Sequence, residues 1–418
     1  MEFIADLHIH SKFSRATSGD MVIPKIAQAA KEKGISLVAT GDFTHPAWLE
    51  MLRNDLSENG DGLFKYEDTN FILTSEVNNI YSKNGRLRRL HNIIYAPSFD
   101  EAEKINGFLG KYGNLKSDGR PILSLDSKLM LEKILEISPE SFVVPAHIWT
   151  PWFSVFGSKS GFDSIEECFE DSTKEIFALE TGLSSDPQMN WTLSKLDRYS
   201  LISNSDAHSP SRLGREANVF GSYLSFKELK QVLKTKDRKR FLYTIEFFPE
   251  EGKYHYDGHR NCNVAVSPEE SMAHDDLCPV CGKQLTIGVL HRVLVLGDRK
   301  LGFVPDNAIP YKSLVPLEEI IGEALNVGRD TLTVEKQYKK LTSELNGEFN
   351  VLMYAPIDDI KANSDERIGQ AVELMRAGKV QINPGYDGVF GKVGIFSAKI
   401  DNQPQSMISD SDSQMKLF

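Results

Sequence analysis

Eight imidazole and carboxylate side chains recur along the first half of the sequence: His8, His10, Asp42, Glu76, His91, His147, Asp206 and His208. Mixed nitrogen and oxygen donors suit borderline divalent ions such as zinc, manganese or iron, whereas a calcium or magnesium site is built from oxygen alone. His8 and His10 are two residues apart on an extended segment, so both face one side and can hold one ion; Asp206 and His208 repeat that spacing. Glu76, His91 and His147 could supply a second. Two ions about 3.5 to 4 Å apart would activate a water and hold a phosphoryl oxygen, which makes phosphate-ester hydrolysis the implied chemistry. A single histidine of this kind is more often a packed or surface residue. Eight such groups buried without counter-ions would cost several kcal/mol apiece.

The elements that must position these groups alternate short apolar runs with helix-period segments, the pattern of repeated βα units around a parallel sheet. Strands are expected at 3–8, 35–40, 71–77, 91–95, 141–146, 176–180 and 201–205, and helices at 22–33 and 127–136. The first helix carries Pro24 in its opening turn and Gly34 at its end. Nearly all the candidate ligands fall at a strand or its C-terminal end, where an α/β barrel gathers side chains from distant parts of the chain.

The chain has 418 residues, too many for one ordinary domain. With 40% hydrophobic and 26% charged residues it is globular in composition. A net charge of −11 argues against a generally polyanion-binding surface and leaves local basic patches for any nucleic acid. Nothing resembles a secretory leader or an apolar run of about 18 residues, so a cytoplasmic protein with no membrane association is expected. From about residue 245 turn residues dominate. His259 and Cys262, followed by Cys278 and Cys281, fit one tetrahedral structural zinc with three thiolates and an imidazole; His255, His274 and His291 lie near enough to replace His259. Cys168 stands apart and reads as a buried, inert thiol. From residue 316 two helix-period segments, around 317–325 and 364–377, precede a glycine-rich turn and a run at 389–396. Tyr386 and Asp387 in that turn are candidates for contact with a ligand. Residues 402–413 are rich in Ser, Asp and Gln and are expected to be disordered.

Several motifs, DLHIHS, GDFTH, SEVN, LHNIIY, PAHIW and SNSDAH, resemble in their order those of the PHP phosphoesterase superfamily. The resemblance implies a distorted seven-stranded βα barrel with two or three divalent ions held by His8, His10, Glu76, His91, His147, Asp206 and His208. Magnesium is a further ion that could support activity. Two positions depart from the pattern: Arg15 and Phe43 stand where many members have histidine, leaving Asp42 or His45 to replace them. The terminal Gln414, Leu417 and Phe418 resemble the Q-x-x-L-F peptides that dock on the DNA sliding clamp.

Together the barrel motifs, the H-x-x-C and C-x-x-C pairs, the PGYDGVFGKVGIF segment and the tail resemble the endonuclease Q family. Membership implies a metal-dependent endonuclease of DNA repair that cuts on the 5′ side of uracil, hypoxanthine, xanthine or an abasic site, with Asp206 indispensable. The implied units are a barrel over 1–248, a zinc module over 249–315, a mixed helical domain over 316–400 and a tail over 401–418. A small-molecule phosphatase of the same fold and a non-catalytic, clamp-tethered DNA-binding protein are the alternatives. Two basic stretches could meet backbone phosphates: Lys83, Arg86, Arg88 and Arg89, and the run from Lys227 to Arg240. Trp149, Trp152, Phe153 and Phe156 are either core or a platform for an unstacked base.

Overall fold

The computed structural model describes residues 2–396, and the tail with Gln414, Leu417 and Phe418 lies outside them. Its centre is an eleven-stranded mixed sheet flanked by helices. The strands β1 (Phe3–Asp6), β2 (Leu37–Ala39) and β3 (Thr69–Lys83) run parallel in that order. β4 (Arg86–Ala96) returns antiparallel to β3, and β5 (Phe142–Pro145) pairs antiparallel with β4. β6 (Ala178–Glu180) and β7 (Ser200–Ile202) form a separate parallel pair. β8 (Ala217–Phe220) lies antiparallel to β1, β9 (Phe241–Glu246) antiparallel to β8, and β10 (Tyr311–Ser313) parallel to β9.

The expectation of an all-parallel sheet is corrected at β3 and β4. These are one long hairpin closed by Asn84 (φ 53°) and Gly85 (φ 72°), a two-residue turn in which both residues need positive φ. Asn-Gly supplies that conformation at little cost, so the chain reverses here without a crossover helix.

At their C-terminal ends the strands of the separate pair stay joined to their neighbours. Ile148 N–H donates to Glu180 O, Thr181 N–H to Ile202 O, Asp206 N–H to His8 O and His10 N–H to Ala207 O, each at 3.0 Å. The outer layer forms as the sequence directs. The helix Ile23–Lys33 begins with Pro24 in its first turn, buries Ile23, Ile26, Ala27 and Ala30, and stops at Gly34 in the left-handed conformation (φ 84°). Five helices follow β10, from Leu317–Leu325 to Glu366–Arg376. They are fastened to the first helix by Lys33, whose ammonium lies 2.6 Å from the buried carboxylate of Glu348. One continuous apolar core includes residues from Phe3 to Ile395. No helix among the described residues is long and apolar enough to cross a membrane.

Candidate metal centre

Seven of the eight candidate ligands converge on one mouth of the sheet. His8 and His10 follow β1, Glu76 lies within β3 and His91 within β4, His147 follows β5, and Asp206 and His208 follow β7. Asp42, His147 and Asp206 have positive φ (52°, 28° and 47°). Left-handed backbone at non-glycine residues costs on the order of 1–3 kcal/mol each and persists where the surroundings impose it. Here it turns the chain sharply just past a strand. Gly182 has the same origin: a Cβ there would lie 2.4 Å from the Cβ of His147.

Glu76 is the hub. Its Oε2 lies 3.2 Å from His10 Nε2 and 3.8 Å from His8 Nε2, while Oε1 lies 2.7 Å from His91 Nδ1 and 3.0 Å from His147 Nε2. Asp206 Oδ1 stands 3.0 Å from His10 Nε2 and 3.8 Å from His8 Nε2. The result is three overlapping groups, His8 with His10 and Glu76, His10 with Asp206 and His208, and Glu76 with His91 and His147, each with its donor atoms within 4.8 Å of one another. His8 Nε2, His10 Nε2 and Asp206 Oδ1 are buried without a hydrogen-bond partner. Buried polar atoms are rarely left this way, and divalent ions at the centre of these groups would satisfy all three.

The opposite side of four of the five rings is fixed. His8 Nδ1–H donates to Glu180 at 3.0 Å, His10 Nδ1–H to Asp42 at 3.0 Å, and His208 Nδ1–H to the carbonyl of Asp206 at 2.9 Å; Nδ1 of His147 meets the Thr150 hydroxyl at 3.1 Å. Such partners set the tautomer and aim of a ligating imidazole. The electrostatics agree with neutral rings at two positions: burial pushes His91 and His208 down to about 4, helped by Arg120 at the first and His10 at the second. Burial works against ionisation of Glu76, but His91, Arg120 and the close approach of the His10 and His147 rings hold its carboxyl well below the usual range.

Asp42 is the correction. Its oxygens are taken by His10 Nδ1–H, the N–H and hydroxyl of Ser11 and the hydroxyl of Ser14, so it stands behind His10 instead of among the converging atoms. His45 does not replace it; its ring stacks on Phe13 at 4.3 Å. Two site residues escaped the sequence analysis. Glu180 ends a strand as the others do, and that position was the available signal. Arg120, whose Nη1 lies 3.2 Å from Glu76 Oε2, precedes only a two-residue strand and had no signal.

His259, Cys262, Cys278 and Cys281 also come together, with all four donor atoms within 4.8 Å. Ligands on a tetrahedron with bonds of about 2.3 Å stand about 3.8 Å apart, so one zinc fits without rearrangement. Burial raises the Cys278 thiol, but backbone N–H groups of Cys281 and Val280 outweigh it and push it down to about 6. His291 and His255 are elsewhere: His291 Nδ1 lies 2.6 Å from Asp257, and His255 is buried against Tyr256. Tyr386 and Asp387 stitch the glycine-rich turn to this module, through Asn263 and through Arg260 N–H and the Thr286 hydroxyl. Cys168 is buried and pushed up to about 12 by that burial.

In the aromatic segment, Trp149 and Phe156 are core and stack on each other at 4.7 Å. Phe153 is half-buried with φ 60° and packs on His91 at 4.8 Å.

The chain superposes on the lesion-specific endonuclease PfuEndoQ from Pyrococcus furiosus with a TM-score of 0.85 and 32% identity, over 96% of its length and 98% of that chain. An endonuclease Q bound to a 27-mer duplex substrate with an abasic lesion at its active site matches with a TM-score of 0.83 and 32% identity, over 97% and 100%. The family described as the MJ0043 C-terminal domain matches residues 316–379. Protein YqxK of Bacillus subtilis is 28% identical over 407 residues, 93% of this chain and 98% of its own. Protein MJ0043 of Methanocaldococcus jannaschii is 31% identical over 280 residues, 64% of this chain, and the chain spans only 34% of that relative.

Proposed function

The chain belongs to the endonuclease Q family, and we propose on that basis that it is a metal-dependent DNA repair endonuclease acting on deaminated bases (uracil, hypoxanthine, xanthine) and abasic sites. It hydrolyses the phosphodiester on the 5′ side of the lesion and leaves 3′-hydroxyl and 5′-phosphate ends. One observation carries the metal-dependent hydrolysis: seven imidazoles and carboxylates from distant segments meet at one mouth, three of their atoms buried and unpartnered. In this picture the seven strands from β1 to β7 form a distorted PHP-type barrel over 1–248. Residues 249–315 hold one structural zinc through His259, Cys262, Cys278 and Cys281. Residues 316–400 form the C-terminal domain, and 401–418 carry a peptide for the sliding clamp.

His8, His10, Glu76, His91, His147, Asp206 and His208 would hold the barrel ions, and the donor set suits zinc, manganese or iron. Divalent ions, when bound, supply charge neutralisation at the phosphoryl oxygens and a more acidic water. The protein's own groups do the rest. Glu180, Asp42 and Thr150 hold the rings in place, and Asp206 brings a carboxylate oxygen to within 3.0 Å of His10 Nε2 at the centre. Arg120, with one side-chain donor on Glu76 and its others free of protein acceptors in the described contacts, binds a non-bridging oxygen as negative charge builds.

The test is incision of a labelled duplex carrying a single uracil, hypoxanthine or abasic site. The parent should cut immediately 5′ of each, and Asp206→Asn should cut at least about 10²-fold more slowly. An undamaged product pattern with the parent, or full activity in Asp206→Asn, overturns the assignment.

A further inference from the structure

Away from the metal centre, one cleft combines uncompensated positive charge with a tightly folded glycine loop. One wall is the β3–β4 hairpin arm at Arg86 and Arg88; the other is the loop 157–161, Gly-Ser-Lys-Ser-Gly. The loop is built to a fixed shape. Gly161 N–H donates to Gly157 O at 2.8 Å and Lys159 N–H to Pro151 O at 3.0 Å, and a Cβ on Gly161 would lie 2.5 Å from Gly157 N. Arg88 ties the two walls together: its guanidinium lies 4.0 Å above the Phe162 ring and donates to Gly161 O, while its buried Nε has no acceptor.

The cleft holds two acids, Asp163 and Glu167, against four cations, Arg86, Arg88, Lys159 and Arg292. Asp163 is paired with Arg292 at 2.5 Å, and Glu167 accepts the Asp163 N–H at 3.2 Å. Arg86 and Lys159 are left exposed on opposite walls, with no acceptor among the described residues. Several cations of the other basic stretch are already engaged. Lys230 is spent on the carbonyl of Pro139 at 2.7 Å, Lys236 on that of Asp197 at 2.8 Å, and Arg240 on Glu228 at 3.0 Å.

We propose that this cleft grips the phosphate backbone of the substrate duplex at a point removed from the cut, with Arg86 and Lys159 as the phosphate ligands. The proposal rests on the DNA endonuclease assignment above and extends it to a second contact. The arm fixes the separation. Arg86 is five residues from His91 along β4, about 17 Å at about 3.3 Å per residue. A duplex advances about 3.4 Å per base pair, so along the duplex the gripped phosphates lie within about five base pairs of the scissile bond. Contacts of this kind set register on the duplex and carry no sequence or lesion information.

The experiment is binding of damaged and undamaged duplexes by the full chain across a salt series, comparing parent with the Arg86→Ala/Lys159→Ala double variant. Both side chains are exposed, and unchanged bound metal confirms that the variant is intact. The dependence of log K on log salt should become shallower by about 2, near 0.9 per phosphate contact, with equal weakening on both duplexes. Trimming the duplex stepwise from the gripped side toward the lesion should abolish the difference between variant and parent. An unchanged slope overturns the proposal, and so does weakening confined to damaged DNA. Failure of the endonuclease assignment would show separately, as a parent protein that binds duplex through Arg86 and Lys159 but cuts none.

Discussion

Glu180 accepts the Nδ1–H of His8 at 3.0 Å and, with its other oxygen, the backbone N–H of His147 at 2.8 Å. One buried carboxylate thus holds two histidines of the candidate metal centre that are 139 positions apart in the sequence. Glu180→Ala should lower the affinity of the barrel for divalent ions by about 10- to 100-fold, the usual effect of removing a partner that orients a ligand. Glu180→Gln, which can still accept one of the two bonds, should lose less. Metal titration of chelator-treated protein followed by elemental analysis measures both; equal affinity in all three proteins would contradict the role.

Arg120 touches the same centre without being able to ligate it, because a guanidinium offers donors only. Removing a preorganised donor from a developing oxyanion typically costs 10²–10³ in turnover. Arg120→Ala should therefore lose about that much in kcat while keeping its metal content, and added guanidinium ion should restore part of the rate. Loss of metal in step with activity would instead make Arg120 a structural counter-charge for Glu76.

Much of this site was legible because chemistry constrains its residue types. A histidine two residues from another on an extended segment, or a carboxylate at a strand end, is visible without a structure, and His8, His10, Glu76, His91, His147, Asp206 and His208 all meet as expected. Asp42 was misplaced because ligand and orienting partner draw on the same residue type; only the bonds from Ser11 and Ser14 distinguish them. The β3–β4 hairpin was missed although Asn84-Gly85 is a strong reversal signal. The expected strands stop at 77 and resume at 91, because the arms flanking the turn, with Asn78, Asn79, Lys83, Arg86, Arg88 and Arg89, are too polar to read as strands. The third helical region was only partly legible: Leu332–Glu344 carries only Leu332, Val334, Tyr338 and Leu341 as apolar residues, a sparse stripe that packing sustains.

The His259, Cys262, Cys278 and Cys281 group offers four donors, the full ligand set of a structural zinc, and a metal held there should act through folding. Cys278→Ser should reduce bound zinc by one ion per chain and lower the melting temperature, leaving the barrel ions in place. Elemental analysis with calorimetry tests this; full zinc content in the variant would refute the ligand set.

Deleting residues 414–418 removes Gln414, Leu417 and Phe418. A short peptide that fills a pocket on a partner contributes nothing to the hydrolysis itself. The truncated chain should lose measurable association with the sliding clamp and cut short oligonucleotides at the parent rate. Clamp binding that survives the deletion would remove the tail from the account.

Beneath the mouth, Glu246 is buried and accepts the hydroxyls of Ser203 and Thr244. Burial pushes its carboxyl up to about 8, the hydroxyl bonds opposing and Asp186 adding to the rise. Glu216 is raised as well, by burial and then by Glu246, and its Oε2 has no donor. A carboxyl raised in this way is protonated in the fold while ionised in the unfolded chain. The native state therefore binds more protons between the ordinary glutamate value of 4.5 and about 8, and stability falls as pH rises through that window. One such group contributes a slope of about 1.4 kcal/mol per pH unit. Glu246→Gln keeps an acceptor for the hydroxyls and carries no charge at any pH, so its stability should fall less steeply, by about one group's slope. Denaturant midpoints at pH 5, 6.5 and 8 give the comparison, and parallel lines for parent and variant would show that Glu246 is ionised in the fold throughout.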